Sequence, residues 1–546
     1  MSYTAHVDTF ARDNLPPRDE WPEFIFELPT LRYPERLNAA TELLTRALER
    51  GQGDRVAIRS PAGLRWTYAD LDANANRIAQ VLIGDLGLVP GNRVLLRAPN
   101  NPLYAACFFG VLKAGGIAVG TMPLLRAKEL VDIVTKARIS HALCDARLAA
   151  ELHAARPQCP TLGNVTFFGD AAPDGLEARM ATKAATFAAI DTAADDTALI
   201  AFTSGTTGKP KGTMHFHRDL IAACDCWPPA MLRASAADVF TGSPPLAFTF
   251  GLGGLLLFPL RIGASTLLLE RPSPDVLLPA IAEHRASVLF TAPTSYRAMA
   301  GSTKAHDLSS LRKCVSAGEP LPAATRELWK SATGIEIIDG IGSTEMFHIF
   351  ISNDETHAKP GAIGAVVPGY RAAVMDDDGH PVPAGTVGRL AVKGPTGCRY
   401  LADERQRNYV RDGWNYTGDA FVVDPDGFFV YHARTDDMII SAGYNIGSPE
   451  VEGALLLHAA VSECGVIGAP DEERGQIVKA FVVLKPGFEP EPALVAELQD
   501  FVKRTIAPYK YPRAIEFIGS LPRTETGKLQ RSRLRQMEAL RAGARP

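Results

Sequence analysis

Short apolar runs alternate with longer mixed stretches along most of the chain. Five of these runs have the length of buried β-strands: Arg93–Leu96, Gly116–Val119, His141–Cys144, Ser287–Thr291 and Lys313–Ser316. The stretches between them, such as 71–83 and 127–137, are rich in Ala, Leu and Arg and favour helices. Strands that alternate with helices in this way predict βαβ units, and therefore an α/β fold with parallel sheets covered by helices.

The longest apolar run, 246–260, is interrupted by three glycines and Pro259. Because a membrane-spanning helix needs about 20 apolar residues, we predict a buried segment and no association with a membrane. The turn-rich segment 376–388 predicts the connection of a β-hairpin. A strand-like run at 428–433 gives way to charged residues at 434–437, which marks a candidate domain boundary.

The composition is that of a globular protein with several structural units. The chain has 546 residues, of which 46% are hydrophobic and 22% charged, and this balance excludes an intrinsically disordered chain. A net charge of −4 gives no general support for nucleic-acid binding. The eight cysteines contain no CxxC pair, which favours reduced thiols in the cytoplasm over a disulfide framework or a structural zinc site. The N-terminal segment predicts neither a secretory signal nor a transit peptide.

The last stretch of the chain is strongly basic. Residues 503–546 contain eleven Lys and Arg against three Asp and Glu, on a protein that is acidic overall. Such a surface suits an anionic ligand, although a solvated terminal helix at 531–545 is an alternative account of part of this charge.

The strongest local signal for chemistry is the segment TSGTTGKPKG at 203–212, directly after the apolar run 198–202. Glycines allow backbone N–H groups to approach a polyphosphate, hydroxyl groups donate hydrogen bonds, and lysines neutralise charge. The segment does not contain GxxxxGK[ST], so it is not a P-loop of the nucleoside-triphosphatase type. A flexible linker of the same composition is the alternative.

This segment resembles the phosphate-binding loop of the adenylate-forming superfamily, which comprises acyl-CoA synthetases, adenylation domains of peptide synthetases and luciferases. Further motifs of the superfamily follow in the same order: SAGEP at 316–320, DGIGSTE at 339–345, YTGD at 416–419, RTD at 434–436 and PRTETGK at 522–528. The resemblance extends from about residue 42 to residue 534. One departure is Ile341, which stands where the family usually has a tyrosine and removes an aromatic face from the adenine site.

The resemblance implies a role for each of these motifs. Thr344, Glu345 and Lys528 are expected to be catalytic, with Thr344 at the phosphate, Glu345 holding Mg²⁺ and Lys528 acting from the C-terminal domain. A carboxylate suits Mg²⁺, which prefers oxygen ligands. The residues expected to bind ATP or AMP are Thr203, Ser204, Gly205, Thr206, Thr207, Gly208, Lys209, Lys211, Ala317, Gly318, Glu319, Pro320, Asp339, Gly340, Ile341, Gly342, Asp419 and Arg434.

The same resemblance implies the domain organisation. It implies a large N-terminal AMP-binding domain (1–435) of α/β sheets with a β-barrel-like subdomain. A small mobile α+β C-terminal domain (436–546) follows and turns about a hinge at Asp436.

The implied reaction has two steps. ATP activates a carboxylate as an acyl-adenylate with release of pyrophosphate, and the thiol of coenzyme A then displaces AMP. One domain arrangement brings Lys528 to the adenylate, and the other brings the loop with Gly443 and Tyr444 to the CoA channel. The basic residues expected near the CoA phosphates are Lys503, Arg504, Lys510, Arg513, Arg531 and Arg533.

The acyl pocket of this family corresponds here to the segments 246–254 and 346–350. Their large aromatic side chains leave little room for an alkyl chain and suit a planar ring. The string DGIGSTEMFHIFISN resembles most the benzoate-CoA and 2-aminobenzoate-CoA ligase branch, so we expect a small aromatic acid. His348 is a candidate partner for an ortho amino or hydroxyl group, with a structural histidine as the alternative. The expected pocket residues are His215, Phe248, Thr249, Phe250, Gly251, Ser343, Phe347 and His348.

Other interpretations remain at this point. His215 and His217 form an HFH pair that suggests a metal site, but no third ligand is evident, and a pocket position for one of them is favoured. An enzyme that loads an aromatic acid onto the pantetheine of a carrier protein is the second functional hypothesis, against which the basic C-terminal region favours free CoA. A nucleotide-binding regulator without catalysis and a luciferase-like oxygenase are less favoured. We expect a monomer or a homodimer.

Overall fold

The computed structural model describes residues 3–203, 210–441, 444–471, 473–524 and 527–541. The predicted residues Ser204, Gly205, Thr206, Thr207, Gly208, Lys209 and Gly443 lie outside these ranges. The backbone of Asp436 belongs to a helical turn at Thr435–Asp437 that connects two sheets.

The strands are short, and most of them are buried. Their bounds are β1 Val56–Arg59, β2 Arg65–Thr67, β3 Arg93–Arg97, β4 Ile117–Thr121, β5 His141–Asp145, β6 Asn164–Phe168, β7 Thr197–Thr203, β8 Lys211–Phe216, β9 Val239–Gly242, β10 Ser265–Leu267, β11 Val288–Thr291, β12 Lys313–Ala317, β13 Ile337–Gly342, β14 Ile349–Ser352, β15 Ala365–Val366, β16 Arg371–Met375, β17 Gly388–Lys393, β18 Val410–Arg411, β19 Trp414–Val423, β20 Phe429–Arg434, β21 Ile439–Ser441, β22 Tyr444–Ile446, β23 Val461–Asp471, β24 Gly475–Leu484 and β25 Ala514–Phe517. All five runs predicted as strands from the sequence are strands.

The helices fill the connections between parallel strands. Their bounds are α1 Phe10–Asp13, α2 Arg46–Glu49, α3 Tyr68–Gln80, α4 Pro102–Lys113, α5 Ala127–Ala137, α6 Ala149–Ala155, α7 Leu176–Met180, α8 His217–Trp227, α9 Thr249–Leu252, α10 Phe258–Arg261, α11 Pro274–His284, α12 Pro293–Met299, α13 Ala323–Thr333, α14 Gln406–Tyr409, α15 Ser448–Leu455, α16 Pro492–Thr505 and α17 Arg531–Arg541. The predicted helix at 127–137 coincides with α5.

Two large sheets form the main body. One has six strands in the order β6-β5-β3-β4-β7-β8, parallel except for the last pair. The other has nine strands in the order β15-β14-β13-β12-β11-β9-β10-β1-β2, with a parallel centre and antiparallel ends. A hydrophobic cluster that includes α3, α4, α8 and the helical segment after β9 packs the two sheets together.

Two smaller sheets complete the chain. Strands β16 to β20 form an antiparallel sheet that corresponds to the expected barrel-like subdomain, and the turn-rich segment 376–388 connects its first two strands. Strands β21 to β25 form the last sheet, which has its own hydrophobic core with α15 and α16. The predicted α/β fold, with a large N-terminal and a smaller C-terminal domain, is confirmed. The boundary that we propose at 435/436 lies in the turn where the chain passes from β20 to β21.

The apolar run 246–260 is buried as predicted. It forms α9, α10 and the helical turn between them, and leucines at 246, 252, 255, 256 and 257 are almost without solvent contact. Within the described ranges, the chain has no helix with the length and hydropathy needed to cross a bilayer.

Candidate active site

The predicted phosphate segment begins and ends on two paired strands. Thr203 is the last residue of β7 and faces Lys211, the first residue of β8, in the antiparallel register. The described ends of the segment, Thr203 and Lys211, therefore lie side by side on the last two strands of the six-stranded sheet.

Glu345 and Lys211 meet at a buried tyrosine that the sequence analysis missed. Tyr400 donates a hydrogen bond to Oε1 of Glu345 over 2.5 Å and accepts one from Nζ of Lys211 over 3.0 Å. Nζ of Lys211 lies 3.9 Å from the same carboxylate oxygen, and Glu345 is 7% exposed. Tyr400 belongs to no motif that we recognised, and it lies 55 residues after Glu345 in the chain, so only the fold reveals it.

The residues at this point fit the magnesium ion that the family implies. Glu345 offers a carboxylate beside a lysine that would neutralise phosphate, and Mg²⁺ is commonly bound through one or two carboxylates together with substrate phosphates and water. Among the described residues, no group of three or more His, Cys, Asp or Glu side chains is arranged to hold a metal by itself. Glu345 together with the phosphates of ATP is therefore the arrangement that fits.

The predicted adenine loop begins where β12 ends. Ala317 is the last residue of β12, and Gly318 adopts a φ of +88°, a conformation that favours glycine. Asp339 lies on the neighbouring strand β13 and is 4% exposed. Burial raises the pKa of Asp339 to about 7, against the opposing effects of Arg326, the N–H of Gly340 and the hydroxyl of Ser316.

The predicted ribose-binding pair is adjacent across two strands. Asp419 on β19 faces Arg434 on β20, and Nη1 of Arg434 lies 3.3 Å from Oδ1 of Asp419. The same guanidinium nitrogen donates to the carbonyl oxygen of Thr417 over 3.1 Å. Arg434 is thereby held with part of its guanidinium exposed, next to a carboxylate able to accept hydrogen bonds from ribose hydroxyls.

Lys528 reaches this site from the C-terminal domain. A Cβ atom placed on Gly318 would lie 3.8 Å from Nζ of Lys528, so the lysine lies against the adenine loop although it keeps contact with solvent. Desolvation in the cleft lowers the pKa of Lys528, while the charge of Glu319 opposes the shift. Burial raises the pKa of Glu319 in turn, against the effect of Arg523, whose Nη1 lies 3.9 Å from the carboxylate.

The two predicted pocket segments meet around His348. Its Nε2 lies 3.4 Å from the carbonyl oxygen of Phe250, and burial lowers the pKa of His348 to about 3. The imidazole ring is 4.5 Å from the ring of Phe258 and 5.7 Å from that of Trp227, measured between centroids. Phe258 and Trp227 were not among the predicted pocket residues. The sequence does not show how far a buried aromatic residue in a helix lies from a binding site.

The other predicted pocket residues lie close by. Phe248 and Phe250 are half-buried, Thr249 and Gly251 are buried, and Ser343 lies 3.2 Å from the hydroxyl of Tyr409. Phe347 is fully buried with a φ of +70°, a strained conformation for a bulky residue that follows directly on Glu345 and Met346.

The two histidines of the HFH segment, His215 and His217, have different hydrogen-bond partners. His215 is fully buried and donates from Nε2 to the carbonyl oxygen of Thr344 over 2.8 Å, with its ring 5.3 Å from that of Phe347. Nδ1 of His217 instead accepts from the N–H of Ala39 over 3.1 Å. His215 is thus hydrogen-bonded to the backbone of the DGIGSTE segment, at Thr344. His217 has no such contact with that segment among the hydrogen bonds of the described residues.

Much of the basic C-terminal region is paired internally. Lys503, Lys510 and Arg531 form ion pairs with Asp500, Glu450 and Glu452. Within the described ranges, Arg504, Arg513 and Arg533 have no carboxylate partner, which reduces the set of candidates for CoA phosphates to these three. Tyr444 is 54% exposed and stacks on Tyr509, with ring centroids 4.5 Å apart.

Comparisons with known proteins agree with this geometry. The AMP-binding enzyme family matches residues 44–400, and the AMP-binding enzyme C-terminal domain matches residues 450–528. A benzoate–CoA ligase of Thauera aromatica is 37% identical, over 93% of this chain and 97% of that protein. A 4-hydroxybenzoate–CoA/benzoate–CoA ligase of Rhodopseudomonas palustris is 33% identical, over 92% of this chain and 94% of that protein.

Solved structures extend the likeness to three dimensions. The anthranilate CoA ligase AuaEII, in complex with anthranoyl-AMP, superimposes with a TM-score of 0.90 at 35% identity, over 94% of this chain and all of that one. A benzoate CoA ligase from Burkholderia xenovorans superimposes with a TM-score of 0.84 at 35% identity, over 91% of this chain and all of that one. The chain therefore belongs to the AMP-binding family of adenylate-forming enzymes, in the branch that contains the benzoate-CoA and 2-aminobenzoate-CoA ligases.

Proposed function

We propose that this protein joins a small aromatic carboxylic acid, of the 2-aminobenzoate or benzoate type, to coenzyme A through an aryl-adenylate. The observation that carries the proposal is the aromatic enclosure formed by Phe250, Phe258 and Trp227 around His348, within a few residues of Glu345. Aromatic walls on several sides suit a flat ring better than an extended alkyl chain.

The first step forms the adenylate. The acid's carboxylate attacks the α-phosphate of ATP, the bond to pyrophosphate breaks, and negative charge on the phosphate oxygens must be neutralised. Lys211 on the side of β8 and Lys528 on the side of the adenine loop supply that charge. Mg²⁺ held by Glu345 would supply the Lewis acidity that withdraws charge from the phosphates. Asp419 and Arg434 orient the ribose, and Asp339 accepts from the adenine amine.

The second step transfers the aryl group to the thiol. The sulfur attacks the aryl carbonyl, the bond to AMP breaks, and the thiol proton leaves to solvent or a nearby base. In the present arrangement Lys528 occupies the adenine side of the cleft, which is the adenylate-forming arrangement. We propose that the C-terminal domain turns about Asp436 to bring Gly443 and Tyr444 to the pantetheine arm. Arg504, Arg513 and Arg533 are then the candidates for contact with the CoA phosphates.

Free CoA is preferred to a carrier protein as the acceptor. The relatives that match nearly the whole chain bear the names of CoA ligases. Tyr509, which stacks on the exposed Tyr444, lies near Arg504 and Arg513 in the sequence, and an aromatic face beside basic residues also suits a nucleotide with a base and phosphates.

The state of His348 favours an ortho-amino group on the ring. With a pKa of about 3 the imidazole is neutral near pH 7. Because a carbonyl oxygen only accepts, Nε2 carries the proton towards Phe250 and Nδ1 is left as an acceptor. Nδ1 is buried without a partner among the described residues. An acceptor nitrogen is satisfied by the N–H of 2-aminobenzoate and gains nothing from plain benzoate.

A panel of acids tests the proposal. Benzoate, 2-aminobenzoate, 2-hydroxybenzoate, 4-hydroxybenzoate, phenylacetate and hexanoate are each supplied with ATP, Mg²⁺ and CoA, while AMP release and thioester mass are followed together. We expect thioesters from the benzoates, with 2-aminobenzoate preferred. Release of AMP without thioester would transfer the assignment to the carrier-loading reaction, and a preference for hexanoate would refute the aromatic pocket.

His348→Phe provides a sharper test of the ring preference. This variant keeps an aromatic ring in the enclosure but removes both nitrogens, so kcat/KM for 2-aminobenzoate should fall by about 10-fold while that for benzoate changes little. An equal loss for both acids would assign His348 a purely structural role.

A further inference from the structure

The phenol of Tyr400 bridges the two members of a long ion pair, Lys211 and Glu345. It donates to Oε1 of Glu345 over 2.5 Å and accepts from Nζ of Lys211 over 3.0 Å, whereas the lysine and the carboxylate are 3.9 Å apart. An ammonium group only donates and a carboxylate only accepts, but a phenol does both. Tyr400 therefore donates to the group that only accepts and accepts from the group that only donates.

The hydrogen bond from Tyr400 goes to one oxygen of the carboxylate only. It engages Oε1 of Glu345, so the other oxygen is the one that we infer meets a ligand.

The backbone around Tyr400 is fixed from both sides. Its N–H donates to Oε1 of Gln406 over 2.9 Å, and the N–H of Leu401 donates to the carbonyl oxygen of Gly212 over 2.8 Å. The preceding Arg399 is fully buried and paired with Asp219. The ring itself packs edge-on against Tyr409, with centroids 5.8 Å apart. A side chain held in this way cannot swing aside when ATP enters.

We propose that Tyr400 is a positioning residue that presents Glu345 to the metal ion and Lys211 to the phosphates of ATP. Carboxylates that bind metals are commonly oriented by a hydrogen bond to their second oxygen, and loss of such a partner weakens metal affinity by about 10–100-fold. The phenol also lies between Lys211 and Glu345, whose direct ion pair is long at 3.9 Å, so that neither group is fully engaged by the other. The inference rests on the proposed function, in which Glu345 holds Mg²⁺ beside ATP.

Tyr400→Phe tests this role, since it keeps the packed ring and removes only the hydroxyl. The probe is Mn²⁺, titrated by electron paramagnetic resonance into the full-length enzyme in the presence of α,β-methylene-ATP. We expect the affinity for Mn²⁺ to fall by about 10–100-fold. The Mg²⁺ concentration that half-saturates acid-dependent pyrophosphate exchange should rise in parallel, with the KM for the acid unchanged.

Tyr68→Phe is the matched control. The Tyr68 hydroxyl is equally buried and donates to the carbonyl oxygen of Ala264 over 2.7 Å, far from the candidate site in the fold. Its removal should leave Mn²⁺ affinity unchanged. If Tyr400→Phe lowered the melting temperature as Tyr68→Phe does and left Mn²⁺ affinity at the wild-type value, Tyr400 would be structural only and the inference would be overturned.

Glu345→Gln separates this inference from the proposed function. Unchanged Mn²⁺ affinity in Glu345→Gln would overturn the metal assignment and this inference with it. Weak Mn²⁺ binding in Glu345→Gln together with normal binding in Tyr400→Phe would overturn the inference alone. If both variants bound Mn²⁺ weakly while the wild type adenylated no acid in the panel, the role of Tyr400 would stand and the proposed reaction would fail.

Discussion

At one end of the candidate site, Glu345, Tyr400 and Lys211 all belong to the large domain and are joined by hydrogen bonds of 2.5 and 3.0 Å. At the other end, Lys528 comes from a different domain and keeps contact with solvent. A second contact between the same two domains is the ion pair of Arg523 with Glu319, in which Nη1 and Oε1 are 3.9 Å apart. The Glu345 end of the candidate site is therefore held within one domain, whereas the Lys528 end depends on a contact between domains.

The difference follows from what the two steps require. Phosphate charge must be neutralised by groups already in place, because reorganising them during the reaction would raise the barrier. In the proposed reaction, Lys528 departs before the thiol enters. A long ion pair contributes little free energy, and a weakly held domain is one that is able to turn.

Replacement of the lysine should have the largest effect. Lys528→Ala removes a positive charge from the side of the adenine loop, and we expect adenylate formation to slow by about 10²–10³-fold. Reaction of preformed aryl-adenylate with CoA should stay within a few fold of the wild type. The two half-reactions are measured separately by pyrophosphate exchange and by thioester formation in single-turnover experiments. Equal losses in both would contradict the view that Lys528 serves one arrangement only.

Ionisation of the buried carboxyl group of Asp339 should lower the free energy of unfolding by about 2–4 kcal/mol. The pKa of Asp339 is about 7 in the folded protein and near the ordinary value of 3.8 when unfolded. The folded state therefore binds the proton more tightly, and the wild type loses stability as the pH rises from about 4 to about 7.

Asp339→Asn does not ionise and should escape this loss. Its free energy of unfolding, measured by urea denaturation without ligands, should exceed that of the wild type at pH 8 and approach it at pH 4. A difference independent of pH would mean that Asp339 is ionised in the fold at all these pH values.

The contact between the domains should give the smallest effect. Glu319→Gln removes the charge that faces Arg523 and Lys528. Because the Arg523–Glu319 pair is 3.9 Å long and only partly buried, we expect it to contribute about 0.2–1 kcal/mol. We therefore expect adenylate formation to slow by about 2–5-fold, with thioester formation from preformed adenylate unchanged.

Glu463→Gln is the control for that variant, because Glu463 pairs with the same Arg523 over 2.6 Å from within the C-terminal domain. It should leave adenylate formation unaltered. If the two variants slowed this step equally, the loss would come from the position of Arg523 rather than from contact between the domains.

Local pattern was sufficient for much of the fold and for the family. The five short apolar runs became strands, 127–137 became α5, and the broken run 246–260 became a buried helical segment. These outcomes follow from burial and from Gly and Pro punctuation, which act over a few residues. The order of the motifs was also sufficient to recognise the family, which is confirmed, while the binding roles of their residues stay predictions.

Contacts between residues that are distant in the sequence could not be predicted. Tyr400 contacts Glu345 and Lys211 because the segment after β17 is bridged to β8, at Tyr400 and Thr213. The residues next to Tyr400 in the sequence give no indication of these partners. His215 was expected in the pocket, yet the structure directs its Nε2 to the carbonyl oxygen of Thr344. Two of the basic residues expected near the CoA phosphates, Lys510 and Arg531, are instead paired with Glu450 and Glu452, which are distant in the sequence.

The sequence by itself determined the α/β architecture and the adenylate-forming family. Each of these depends on patterns among near neighbours in the chain. Tertiary structure alone decided which charges are already paired, which tyrosine is hydrogen-bonded to Glu345 and that Lys528 lies at Gly318. Those features depend on contacts between residues tens to hundreds of positions apart, and on burial that no local pattern records.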